Sequence, residues 1–374
     1  MTDMTPHAGE HKKSDHNDKK KADTKQVGKA LRKAEHHIEI LDKRHDDDIE
    51  HRLERADASS KLLSSVWDEP PAELLRFRLG DRLTDVDGGS TPGFPGNKAQ
   101  GERFIAISSS EVARYQQLLY ANGTKGSPRR MLIVLQGMDA SGKGGIVRHV
   151  FSQTDPMGIH YHGFGAPTKE EQAHDYLWRV RRELPKPGWI SLFDRSHYED
   201  IVMPHIYGTF PEDVWRARYD QVNEFEHELV DSGCTVIKIF LVVTKDKQKE
   251  HFLTRLSDPT KHWKFDVSDL DARARWDDYM AAWQEVFEKT STPEAPWYLV
   301  PADNRWYSRA VVSELLRTSL RGVELAAAEL RRGRNAPPSR RGVVAGGTAR
   351  CSGNSVVIRC PGRMMTGRCL QFGC

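Results

Sequence analysis

Residues 131–135 of this chain read MLIVL, and 137–145 follow almost at once as GMDASGKGG. An apolar run without polar alternation suits a strand buried on both faces, as in a parallel sheet. A glycine-rich segment directly behind such a strand, and ahead of a helical pattern at 146–151, has the context of a phosphate-binding loop. Gly137, Gly142, Gly144 and Gly145, with Ala140 and Ser141 between them, let the backbone curl so that several N–H groups point inward. The helix start adds positive potential, and Lys143, read as an exposed loop residue, supplies a point charge. The plain alternative is a glycine-rich turn with a solvated lysine.

Two departures from an ordinary nucleotide-triphosphatase loop stand out. Gly144 occupies the place where Ser or Thr would put a hydroxyl on magnesium, and Asp139 sets a carboxylate inside the loop. An acid in a phosphate cradle repels its ligand unless it holds a bridging cation, so Asp139 is a candidate metal ligand. An aspartate serving only the turn is the competing reading.

The rest of the chain supplies the remainder of such a domain. Apolar runs recur at 159–164, 189–193, 235–243 and 297–300, separated by helical patterns at 213–231, 245–256 and 269–289. Strand alternating with helix predicts an α/β fold of βαβ units forming a doubly wound sheet. Four segments are expected: a charged arm at 1–60, a helical extension at 61–128, the phosphotransferase domain at 129–320 and an Arg/Gly/Cys-rich tail at 321–374. Within the arm a helix is expected over 26–56, and a second helical pattern runs over 110–120 beyond a Gly/Pro-rich stretch at 87–96.

Two further clusters carry chemistry. Phe193-Asp194-Arg195-Ser196-His197-Tyr198-Glu199-Asp200 begins where the strand at 189–193 ends, and carboxyl ends of strands form the crevice of an open α/β sheet. Asp194 is placed to hold magnesium and Arg195 to clamp phosphoryl oxygens with its planar fork. Glu199 and Asp200 are either outer metal ligands or the first turn of a helix, and His197 reads as a positioning or packing residue. The basic, proline-broken segment 255–265, with Arg255, Lys261 and Lys264, could close over a phosphate chain or be a solvated loop.

Charge bears on partners. Nine arginines and no Asp, Glu or Lys lie in 331–374, so the formal net charge of +3 leaves the preceding residues at −6. A mildly acidic body argues against nucleic-acid binding. No apolar run approaches the roughly 18 residues of a membrane span, and the polar start does not resemble a secretory signal, so no membrane association and a cytoplasmic location are expected. The tail is expected to be disordered and without catalytic role, its four cysteines unpaired thiols.

GMDASGKGG, 166–179 (APTKEEQAHDYLWR), FDRSHYED, DPTKHWKF and 295–307 (APWYLVPADNRWY) together resemble the polyphosphate kinase 2 family, in order, over about 83–316. The resemblance implies a P-loop kinase-like parallel sheet flanked by helices, with a helical lid, magnesium dependence, and transfer of a terminal phosphoryl group between inorganic polyphosphate and a nucleotide. The wording of the second and third clusters is most similar to the branch taking both mono- and diphosphates, so ADP, ATP and AMP are the expected nucleotides. By motif position Asp139, Lys143, Asp194 and Arg195 would be catalytic, with Asp139 and Asp194 on the metal, and Arg255, Lys261 and Lys264 would belong to a mobile lid. The family's upstream STPG and Lys element corresponds to 90–93 with Lys98, a candidate polyphosphate contact. A homo-oligomer is also expected. Two rivals remain: an ATP-dependent nucleotide kinase of the thymidylate or adenylate type, which Gly144 disfavours, and a non-catalytic nucleotide- or polyphosphate-binding module, which the paired acids disfavour.

Overall fold

A computed structural model describes residues 24–36 and 59–335, with side-chain detail through residue 322. Most of the charged arm and the cysteine-bearing tail, with the disorder expected there, lie outside the described residues. Contacts divide the chain after Leu330, and the sheet and its cavity belong to the first unit.

Five strands form one all-parallel sheet: β1 (Arg130–Gln136), β2 (Ile159–Gly163), β3 (Ile190–Asp194), β4 (Cys234–Val242) and β5 (Trp297–Pro301). Their order is β2-β3-β1-β4-β5, with β1 central. The absence of alternation in MLIVL has a direct cause, since successive side chains of β1 enter different cores. Met131, Ile133 and Leu135 join the cluster containing Phe104, Tyr115, Tyr307 and Val311, whereas Leu132 and Val134 join Phe193, Phe225, Phe240 and Trp283.

The helices that supply the first cluster include α1 (Lys98–Gly123), a final helix and the helical residues 24–36, and α1 is longer than the pattern at 110–120 predicts. Asn97 caps it through a reciprocal box, its Oδ1 accepting from Gln100 N at 3.1 Å while Gln100 Oε1 accepts from Asn97 N at 3.0 Å. Serines at 108–110 hide the apolar stripe in the sequence, yet Ser108 is buried against Ser313, Oγ to Oγ at 2.6 Å.

Along the chain follow α2 (Lys143–Val150), α3 (Tyr176–Arg182), α4 (Glu199–Tyr207), α5 (Glu212–Asp231) and α6 (Lys245–Ser257). The helical pattern at 269–289 proves to be two helices, α7 (Ser268–Ala274) and α8 (Trp276–Thr290), broken at Arg275, where the periodicity carries no mark of a break. The last helix, α9 (Arg305–Asn335), continues through 321–335, which composition assigned to the tail. Val323 to Leu330 reads VELAAAEL, a run of good helix formers, and the arginines after it tolerate helix as well. Among the described residues no helix is long and apolar enough to cross a membrane.

The second core contains a lysine. Lys238 of β4 is wholly buried, its Nζ donating to Glu226 Oε2 at 2.6 Å, Thr290 O at 2.7 Å and Tyr198 Oη at 3.0 Å. Tyr198 Oη donates in turn to Glu226 Oε1 at 2.8 Å. One ammonium thus ties β4 to α5, α8 and the start of α4. Burial alone would raise the Glu226 carboxyl, but the charge of Lys238 and the neighbouring His197 hold it below the usual glutamate range.

Candidate active site

Because the chain leaves β1 toward β2 and leaves β3 toward β4, on opposite sides, the carboxyl ends of these paired strands open into a crevice. A cavity of about 640 Å³ lies there. The loop after β1 forms its floor. Gly137 has φ 142°, and a Cβ added to it would stand 2.8 Å from Leu241 O, so glycine is required on both conformational and steric grounds. Gly142, at φ 110°, caps α2 and turns the helix start toward the cavity. Ala140, Ser141, Gly142, Gly144 and Gly145 line the cavity, with Gly137 behind them. Ser141 Oγ is buried without a hydrogen-bond partner, a free donor at the place where phosphate oxygens are expected.

Lys143 is not the exposed residue that its loop position suggested. Only 9% of it is accessible, and its Nζ donates to Gly137 O at 2.7 Å and Met138 O at 3.4 Å. The cause is the curl of the loop, which turns its own carbonyls toward the first helical residue and so pre-positions the ammonium.

Asp139 and Arg195 meet across the crevice, Arg195 Nη2 donating to Asp139 Oδ1 at 2.7 Å. Burial would raise the Asp139 carboxyl, yet the charges of Lys143 and Arg195 hold it below the usual aspartate range. Burial likewise works against the Arg195 charge, and Glu199 and Asp139 overcome it, raising its pKa. Asp194, at the end of β3, lines the same cavity and accepts from Tyr161 Oη at 3.3 Å. Among the described residues Ala140 and Arg195 are the two non-glycines with a left-handed backbone, each at φ 64°. Such conformations cost on the order of 1–3 kcal/mol and gather where a site demands them.

The third cluster forms the opposite wall. Pro259–Lys264 is a 3-10 segment between α6 and α7, with Lys261, Trp263 and Lys264 on the cavity. Arg255 Nη1 donates to Lys264 O at 2.7 Å and to Asp269 Oδ2 at 3.2 Å, and Lys261 Nζ pairs with Asp258 Oδ2 at 2.6 Å. The structure does not bring Lys98 to the cavity, because it stands at the start of α1, 70% exposed and 3.8 Å from Glu102. His197 and Asp200 do not line it either. His197 is fully buried against Tyr198 and Phe225, and Asp200 accepts from Arg179 Nη2 at 2.9 Å.

Several cavity residues escaped the sequence reading. Arg148 of α2, and Arg305 and Arg309 at the start of α9, add a cationic wall, with His149 beside them. Burial lowers the pKa of His149, and Arg309 and Arg148 lower it further, while burial and repulsion from Arg305 and Arg148 lower that of Arg309. Burial and then Arg148 and Arg255 act the same way on Lys264. A polyanion would relieve this repulsion. Gln248 and His251 of α6 grip the loop from behind, Gln248 Nε2 donating to Asp139 O at 2.9 Å and His251 Nδ1 lying 2.9 Å from Ala140 O. Arg305 stands inside a segment already singled out at 295–307, and its basic spacing to Arg309 on one helix face was the available signal.

The family model for Polyphosphate kinase 2 matches residues 97–327, more than half of the sequence. The chain belongs to the polyphosphate kinase 2 family. It is 40% identical to the AMP/ADP-polyphosphate phosphotransferase of Meiothermus ruber over 243 residues, 65% of this chain and 90% of that protein. It is 33% identical to the ADP-polyphosphate phosphotransferase of Rhodopseudomonas palustris over 267 residues, 67% of this chain and 91% of the relative. Among solved structures, Polyphosphate Kinase 2 from Arthrobacter aurescens is similar with a TM-score of 0.68 and 42% identity, covering 72% of this chain and 98% of that one. Polyphosphate kinase 2 membership fits the parallel sheet and the phosphate loop, and it makes the chain an enzyme of phosphoryl transfer.

Proposed function

We propose that the chain moves the terminal phosphoryl group between inorganic polyphosphate and a nucleoside diphosphate, ADP to ATP, and likewise AMP to ADP, with magnesium. The observation that carries this reading is the composition of one cavity, where a phosphate loop carrying Asp139 faces Asp194 and a wall of cations. In the transfer the bridging P–O bond of polyphosphate breaks as a P–O bond to the nucleotide's terminal phosphate oxygen forms. That oxygen is already anionic, so no side chain need remove a proton. Lys143 and Arg195 neutralise charge that spreads over the moving group's oxygens, and the cationic wall of α2 and α9 holds the polyphosphate chain in line.

Asp139 and Asp194 fit magnesium. Both offer hard oxygen donors, they lie at the carboxyl ends of the paired strands β1 and β3, and Asp139 is kept ionised by its cationic neighbours. Magnesium held there would offset the charge that develops on the moving group's oxygens. Asp139→Asn is expected to lower turnover on the order of tenfold or more and to raise the magnesium concentration giving half-maximal rate. A magnesium titration of the rate checks this, and a loss of about twofold or less would leave Asp139 as a turn residue.

Lys261 and Lys264 act as lid residues in this reading, on a segment able to move as a unit between α6 and α7. Replacing both with alanine should reduce turnover roughly tenfold while changing nucleotide Kd, measured without polyphosphate, less than about threefold. Equal losses in both would make them plain ground-state ligands.

The whole reading is tested by incubating the protein with magnesium, ADP and long-chain polyphosphate in the absence of any other phosphate donor, then with AMP and GDP. ATP should form. No ATP under these conditions, with transfer appearing once ATP and a monophosphate are supplied, would favour an ATP-dependent nucleotide kinase.

A further inference from the structure

The edge strand of the sheet carries a side-chain cluster that phosphoryl transfer does not use. His160 and His162 are two apart on β2, so they share a face, and Glu183 at the end of α3 closes over them. His160 Nε2 lies 2.7 Å and His162 Nδ1 3.3 Å from Glu183 Oε2, and all three ligand atoms fall within 4.8 Å of one another. Each is part-exposed, 41%, 33% and 24%, so an ion could reach them. The frame is stiff. Ser191 Oγ donates to Glu183 O at 3.0 Å, and the His162 ring packs edge-on to Phe164 at 4.4 Å.

We propose that His160, His162 and Glu183 form a second metal site, for a borderline d-block divalent ion of the zinc class. Two imidazoles and one carboxylate leave a fourth position for water, the donor set such ions prefer. Ligand atoms on tetrahedral zinc stand about 3.4 Å apart, given bonds of about 2.1 Å. The His162–Glu183 separation already matches. Glu183 would draw back slightly from His160, and the two rings, now 6.4 Å apart and roughly parallel, would tilt inward. Magnesium, which demands oxygen ligands, would not compete. Tyr161 stands between the two histidines in sequence and turns to the opposite face, toward Asp194. An ion on the outer face would therefore stiffen the strand that presents Tyr161 to the cavity.

The test is a zinc titration of the full chain against a chromophoric chelator, with magnesium in large excess. The arm contributes seven histidines before residue 52 and the tail four cysteines, so the difference between variants decides, and the total does not. His160→Gln/His162→Gln should bind one equivalent fewer than the parent, and an unchanged count overturns the site. Glu183→Gln, which keeps the shape and the fold, should weaken that one equivalent on the order of tenfold. An unchanged affinity in this variant overturns the three-ligand assignment, as does displacement of the zinc by magnesium.

Discussion

Lys143→Ala will lower kcat/KM for polyphosphate-dependent ATP formation by on the order of 10²–10³-fold, about 3–4 kcal/mol of transition-state stabilisation. The size follows from where the ammonium sits: it is nearly buried, held 2.7 Å from Gly137 O, and aimed into the phosphate loop before any ligand arrives. Little reorganisation is left for the reaction to supply. The fold should survive, because Lys143 itself lines the cavity and its truncation removes no side chain from the two apolar clusters, and circular dichroism with thermal melting checks that. A variant with normal melting and turnover within about threefold of the parent would remove Lys143 from the chemistry.

The second large effect concerns stability. Lys238→Met should destabilise the protein by roughly 3–5 kcal/mol, since the apolar side chain strands the Glu226 carboxylate in the second core. For a domain of this size that is a fall in Tm on the order of 10 °C. The double variant Lys238→Met/Glu226→Gln should regain much of the loss. The pH dependence has a definite sign. In the parent the Glu226 pKa is depressed, so its contribution is present above the unfolded glutamate value and is lost as pH falls through the folded one. In the single variant burial acts without the ammonium and raises that pKa, so the penalty is greatest at neutral pH and shrinks on acidification. Melting curves at several pH values would show the gap between parent and variant narrowing toward acid. A gap that widens would contradict the assignment of Lys238 as the partner that keeps Glu226 charged.

These two lysines also mark what could and could not be read from the chain. Lys143 sits inside a contiguous motif, and contiguous chemistry survives in one dimension. The loop, Asp194 and Arg195 behind β3, and the 255–265 segment were all legible, and the structure gathers them around one cavity. Lys238 lay in what reads as an unbroken apolar strand, and nothing local announces that Glu226, Tyr198 and Thr290 converge on it. The cationic wall was hidden for the same reason, as Arg148 and Arg309 become neighbours only when α2 and α9 share a cavity. Burial was misjudged for Lys143 because a loop position says nothing about which way the loop's own carbonyls turn. Lys98 failed to reach the cavity because the Asn97 cap starts α1 there and directs its side chain toward Glu102.

Gln248 and His251 hold the backbone of Asp139 and Ala140 from α6, and the same helix runs straight into the segment that carries Lys261 and Lys264. If the 259–264 segment closes as the proposed lid, the phosphate loop and that lid are two ends of one lever. Any free energy by which an occupied loop favours lid closure must reappear as an equal tightening of the loop's ligand when the lid is closed. Gln248→Ala, behind the cavity lining and bonded to Asp139 O, should loosen this linkage, so that in binding titrations occupancy at one end shifts affinity at the other less than in the parent.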